Sequence, residues 1–156
     1  MDNHARPRAK FTVWFLLNGK LPTKDRLKKF GVIDSSGCSF CDAGESMDHL
    51  FFACSGFCSV WREVLGQLNI RRKLASWENE KNWLNREANK NGWKAKILKL
   101  ASIETIYELW RSKNKRLFNH KKMDSTLVDK IMHNIVTRSN MYRDLADHVT
   151  RIIGRN

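Results

Sequence analysis

Three cysteines and one histidine, spaced C-x2-C-x7-H-x4-C as Cys38, Cys41, His49 and Cys54, constrain this chain's fold more than any other feature. Thiolate sulfur and imidazole nitrogen are donors that a zinc ion prefers. A two-residue gap lets both members of a cysteine pair reach one ion. Ser36, Gly37 and Gly44 leave the backbone free to wrap around the pair. His49 and Cys54, five apart on or just after a helix, close the other two positions. Four protein donors fill a tetrahedron and leave no place for water or substrate, so the expected cofactor is one structural Zn2+. Cys58, one helical turn past Cys54, is either a spare ligand or a buried thiol.

The surroundings read as helix. Pro7 suits a first turn and Gly19 a stop, with Phe11, Val13, Trp14, Phe15, Leu16 and Leu17 crowded between them. Thr23 is placed to cap a short helix that Gly31 ends, giving a helical hairpin with Leu21 and Pro22 in its turn. After turn formers over 32–45, Asp42 among them, a helix starts near Ser46. Another carries Val60, Trp61, Val64, Leu65 and Leu68 at three- and four-residue intervals. Ser76 opens a more polar helix that fades between Asn89 and Gly92. Two long stripes follow, one from Ile97 to Leu117 and one from Leu127 to Ile152, joined by a short link and so expected to pack antiparallel. The expected fold is mainly α: a small zinc-braced helical domain over 7–83, then a long antiparallel helical hairpin as an extension over 93–154.

No stretch approaches the roughly 20 apolar residues of a membrane helix. The run Phe11–Leu17 is followed by Asn18, Gly19 and Lys20 rather than by a cleavage site. The expectation is an intracellular protein of nucleus or cytoplasm, not secreted, with its cysteines reduced. A disulfide network is the alternative only for a secreted chain.

The run KFTVWFLLNGKLPTKDRLKKFGV, then CSFC, then ESMDHLFFAC and Trp61, resembles the zinc-binding domain that follows the reverse transcriptase region in plant LINE-type retrotransposons. The resemblance spans about residues 8 to 83. A fainter similarity to a downstream segment of such elements lies in Ile106, Tyr107, Trp110, Arg111, Asn114, Arg116 and Phe118, with Lys113 where that segment usually has arginine. It implies a zinc-binding accessory module. With Met1 almost at the edge of the resemblance, the expectation is a standalone frame left from a degraded or host-adopted element.

Lys and Arg number 29 against 16 Asp and Glu, a formal charge of +13, and a chain this basic attracts polyanions. One cluster holds Arg6, Arg8, Lys10, Lys20, Lys24, Arg26, Lys28 and Lys29. The other holds Arg111, Lys113, Lys115, Arg116, Lys121 and Lys122. Each is either a track for a phosphate backbone of RNA or DNA or a solvated helix face. Between Lys29 and Arg62 there is no Lys or Arg, whereas Asp34, Asp42, Glu45 and Asp48 lie there. The cysteine lobe therefore reads as a brace. Phe40 is its one aromatic placed to stack on a base, with Phe51 and Phe52 in the core. The alternative partner is a protein that meets the C-terminal helices.

Nothing points to catalysis. A polymerase or nuclease needs clustered carboxylates on a sheet to hold Mg2+, and no adjacent Asp pair or strand series occurs. Glu104 and Glu108 read as an exposed helical pair, and His120, His133 and His148 as isolated surface residues.

Overall fold

A computed structural model describes residues 4–41, 43–119 and 124–154, without the side chains of Phe52, Trp77, Phe118 and Asn119. Asp42, His120, Lys121 and Lys122 lie outside the described residues. The architecture is mainly α, as expected. In chain order come α1 (Pro7–Leu17), α2 (Lys24–Lys29), a π-helical turn (His49–Ala53), α3 (Ser55–Gln67), α4 (Trp77–Ala88), α5 (Trp93–Asn119), α6 (Leu127–Asn140) and α7 (Arg143–Ile153). Among the described residues the one extended pairing is an isolated antiparallel bridge between Gly37 and Gly44.

Local chemistry sets the first boundaries. Proline lacks an N–H, and the first turn of α1 needs none. Gly19 and Gly31 follow the ends of α1 and α2 at φ +62° and +70°, a left-handed conformation that glycine takes without a Cβ clash. The expected hairpin of these two helices does not form. α1 packs on α5 instead, and α2 buries none of its own residues. Thr23 does not cap α2 either, since its hydroxyl donates to the Asp25 carboxylate. The cap arrives from Glu45, whose side chain accepts from the Lys24 N–H at 2.9 Å and whose carbonyl accepts from the Asp25 N–H at 3.2 Å.

α5 is the central element, about 40 Å long at 1.5 Å per residue, with α1, α3, α4, α6 and α7 packed around it. Leu100 and Ala101 are fully buried, as expected of its stripe. Glu104 and Glu108 are buried too, which corrects their reading as an exposed pair. The reason is Arg6: its guanidinium bonds Glu104 through Nε and Nη2 and reaches Glu108 at 2.9 Å, while lying 4.8 Å over the Tyr107 ring. Glu108 also accepts from Arg111 at 3.1 Å and Asn134 at 3.3 Å. A residue just ahead of α1 is thus clamped to the middle of α5, and burial of the carboxylates is offset by charge-assisted hydrogen bonds.

The last stripe is two helices rather than one. Tyr142 is extended (φ −130°, ψ 116°) and separates α6 from α7. The break comes just after Ser139, a buried polar residue near the end of α6. α7 then packs on both α5 and α6, burying Leu145 and Val149. His148 is not isolated: its ring stacks on Trp93 at 4.2 Å and 3°. His133 is exposed, as expected. One buried apolar cluster runs from Ala5 through Phe57 and Leu100 to Val149.

Arg6→Met strands Glu104 in the interior. The expected loss in urea unfolding is about 3 kcal/mol, the low end for a broken buried pair because Arg6 keeps some contact with water. Arg8→Met, on the exposed face, is expected to change stability by less than about 0.5 kcal/mol.

Candidate metal centre

The cysteine pair sits on a tight turn closed by backbone bonds. The Cys38 N–H donates to the Ala43 carbonyl at 2.7 Å, and the Glu45 N–H to the Ser36 carbonyl at 2.7 Å, on either side of the Gly37–Gly44 bridge. The Phe40 N–H points back at the Cys38 sulfur, 3.4 Å away. Ser46 opens the next turn: its hydroxyl oxygen accepts from the His49 N–H at 3.1 Å and its carbonyl from the Leu50 N–H at 2.9 Å. In a regular α-helix, residues five apart are splayed by about 140°. Here the Cys54 N–H bonds the His49 carbonyl at 2.6 Å, an i to i+5 bond that returns Cys54 close to His49. Such π turns recur at functional sites. Cys54 is at once the C-cap position of that turn and the N-cap position of α3.

The result is convergence. One donor atom from each of Cys38, Cys41, His49 and Cys54 lies within 4.8 Å of the others. The Cys38 and Cys54 sulfurs are 3.8 Å apart, and the Cys41 sulfur is 3.1 Å from His49 Nε2. A tetrahedron with metal–sulfur bonds of about 2.3 Å has sulfur–sulfur edges of about 3.8 Å. The donor types and the Cys38–Cys54 spacing fit a tetrahedral ion of the zinc class. No disulfide joins any of the four cysteines.

Burial pushes the Cys54 thiol up to about 12, with the neighbouring Cys38 adding to it, while the backbone N–H groups of Phe57 and Gly56 pull the other way. A bound cation inverts that preference, because a coordinating thiol is deprotonated outright. Cys58 does not join the four donors, and burial raises its thiol as well. Phe51 is buried as expected. Phe40, read as a platform for a base, already packs against Phe57 at 4.9 Å, with the Arg116 guanidinium 5.1 Å over its ring.

Residues 1–61 match the family model for zinc-binding in reverse transcriptase. The matched segment takes in α1, α2, all four donors and α3 as far as Trp61. No curated protein and no solved structure matches the chain.

The matched segment is bolted to the helices beyond it by a buried ion pair. Lys113, on α5, is fully buried, with its ammonium 2.9 Å from Glu45 and 3.5 Å from the Pro22 carbonyl. The ammonium also lies 4.4 Å from the centre of the Trp110 ring. Burial pulls the Lys113 amine below its ordinary range, and Glu45 pushes it back. The second Glu45 oxygen is buried with no hydrogen-bond partner among the described residues. Lys113 therefore leaves the set of candidate phosphate contacts, because a side chain with no exposed surface meets no ligand. No motif pairs Glu45 with Lys113, which stand 68 positions apart.

Other members of the basic clusters also have structural work. Lys24 donates to the Gly37 carbonyl at 2.7 Å, Arg26 to the Gly19 carbonyl, and Arg111 to Glu108. Lys10 is half-buried on α1, whereas Arg8, Lys28, Lys29 and Lys115 face solvent.

Lys113→Met removes the cation and leaves Glu45 charged in the interior. The expected loss is about 3–5 kcal/mol in urea unfolding. Combining it with Glu45→Gln, which keeps an acceptor for the Lys24 N–H, is expected to recover most of that loss. A single variant within about 1 kcal/mol of the parent contradicts the pairing.

Proposed function

We propose that this chain is a non-catalytic accessory module of reverse-transcriptase origin, from an element of the plant LINE type. It holds one structural Zn2+ and binds RNA or DNA through the phosphate backbone, without sequence choice. The observation that carries the reading is the meeting of donor atoms of Cys38, Cys41, His49 and Cys54 within 4.8 Å of one another, inside the segment that matches the zinc-binding family.

Three sulfurs and one imidazole nitrogen saturate a tetrahedral ion, which gives it a bracing role rather than a Lewis-acid one. The buried carboxylates support the absence of catalysis. Glu45, Glu104 and Glu108 are each engaged by a Lys or Arg rather than grouped around an open metal position. The formal charge of +13 favours a polyanionic partner. Lys24 and Arg116, one from each basic cluster, both stand beside the knuckle, at Gly37 and Phe40. The solvent-facing Lys28, Lys29 and Lys115 supply sequence-independent phosphate contacts. Among the described residues, no helix is long and apolar enough to cross a membrane.

Metal analysis of the purified chain is expected to find one equivalent of zinc, and alanine at Cys38, Cys41, His49 or Cys54 to remove it. Chelation is expected to unfold the N-terminal lobe in circular dichroism, since a structural zinc contributes on the order of 10 kcal/mol to folding. Retained zinc after Cys54→Ala would contradict the ligand set. For the nucleic-acid reading, affinity for a duplex is expected to fall steeply with salt. Alanine at Lys28, Lys29 and Lys115 together is expected to reduce the log–log slope by about 2–3, near 0.9 per lost phosphate contact. Salt-independent binding sinks that part.

A further inference from the structure

Between α1, α4 and α5 the surface opens into a groove of about 580 Å3. Val13, Leu17, Phe51, Trp61, Leu84 and Ile106 supply much of its apolar lining. The charged side chains that line it are Lys10, Lys81 and Lys99, and no carboxylate is among its lining residues. Past Leu17 the apolar surface continues along α1 over Trp14 and Phe11, which are 41% and 62% exposed with their rings 6.1 Å apart. Contiguous exposed apolar area of this kind marks an interaction surface rather than scattered surface residues. Trp61 and Thr105 stand in the groove's wall, and their indole N–H and hydroxyl are buried with no hydrogen-bond partner among the described residues. Buried polar groups are rarely left so.

We propose that this groove receives an amphipathic helix of an acidic partner protein. A helix lays one apolar face into such a groove through residues at i, i+3, i+4 and i+7. Acidic residues on its flanks would meet the lining lysines, chiefly Lys10 and Lys99. Charge selects this occupant over a second copy of the chain, because two molecules of formal charge +13 repel each other and the charged side chains lining the groove are all lysines, of which Lys81 already pairs with Glu78. Extent selects it over a small apolar ligand, which would fill the groove and leave the Trp14–Phe11 face bare.

The test uses the full chain and two fluorescein-labelled synthetic helices about five turns long. Both carry leucine at i, i+3, i+4 and i+7. One has glutamate and its twin lysine at the other positions. In fluorescence anisotropy the acidic helix is expected to bind saturably, and its lysine twin at least about tenfold more weakly. Ile106→Glu, which puts a carboxylate in the wall, is expected to weaken binding of the acidic helix by about tenfold or more. Lys10→Glu with Lys99→Glu leaves the apolar wall intact and is expected to do the same. That pair of changes keeps the proposal testable should Ile106→Glu fail to fold by circular dichroism. Equal affinity for the two helices, or no response to the lysine reversals, overturns it. So does saturable dodecanoate binding without helix binding. Self-association in ultracentrifugation that Ile106→Glu abolishes overturns it as well, by making a second copy the occupant.

Discussion

The donors of Cys38, Cys41, His49 and Cys54 share one small volume, an arrangement that suits a tetrahedral cation. Sulfurs held side by side repel once ionised, and as neutral thiols they gain little beyond ordinary packing. A divalent ion turns the same cluster into the strongest restraint in the N-terminal part of the chain. It ties a backbone turn, a π turn and the start of α3 to one point. Phe51 and Phe57, which flank the donors in sequence, then sit in the common core.

From that point the restraint travels outward through Glu45. This residue follows the knuckle bridge, caps α2 with its side chain and carbonyl, and pairs with Lys113 deep against α5. Three separate segments therefore meet at one carboxylate. A second clamp, Arg6 on Glu104 and Glu108, fixes the chain just before α1 to the same helix. Both clamps draw on residues that a charge count assigns to the surface. Much of the cationic material near the knuckle thus has a structural partner, and the part left for phosphates is smaller than +13 implies.

The convergence of Cys38, Cys41, His49 and Cys54 was legible in the sequence because metal coordination demands particular atoms at particular spacings. Periodicity likewise located the helices: Val60, Trp61, Val64, Leu65 and Leu68 are all buried, as their intervals required. Three features were hidden, for identifiable reasons. Glu104, Glu108 and Lys113 are charged, and a helix reading sends charge to solvent unless a distant partner is known. The pairing of α1 with α5 rather than α2 is a long-range choice that local capping signals do not encode. The interruption at Tyr142 left the apolar stripe nearly intact, so periodicity ran straight through it.

Zinc-edge X-ray absorption on the purified chain probes the centre most directly, because it counts donors by type and distance. Three sulfurs at about 2.3 Å and one nitrogen at about 2.0–2.1 Å are expected. A first shell of oxygen and nitrogen alone, or a sulfur count below three, would contradict a centre built from Cys38, Cys41, His49 and Cys54.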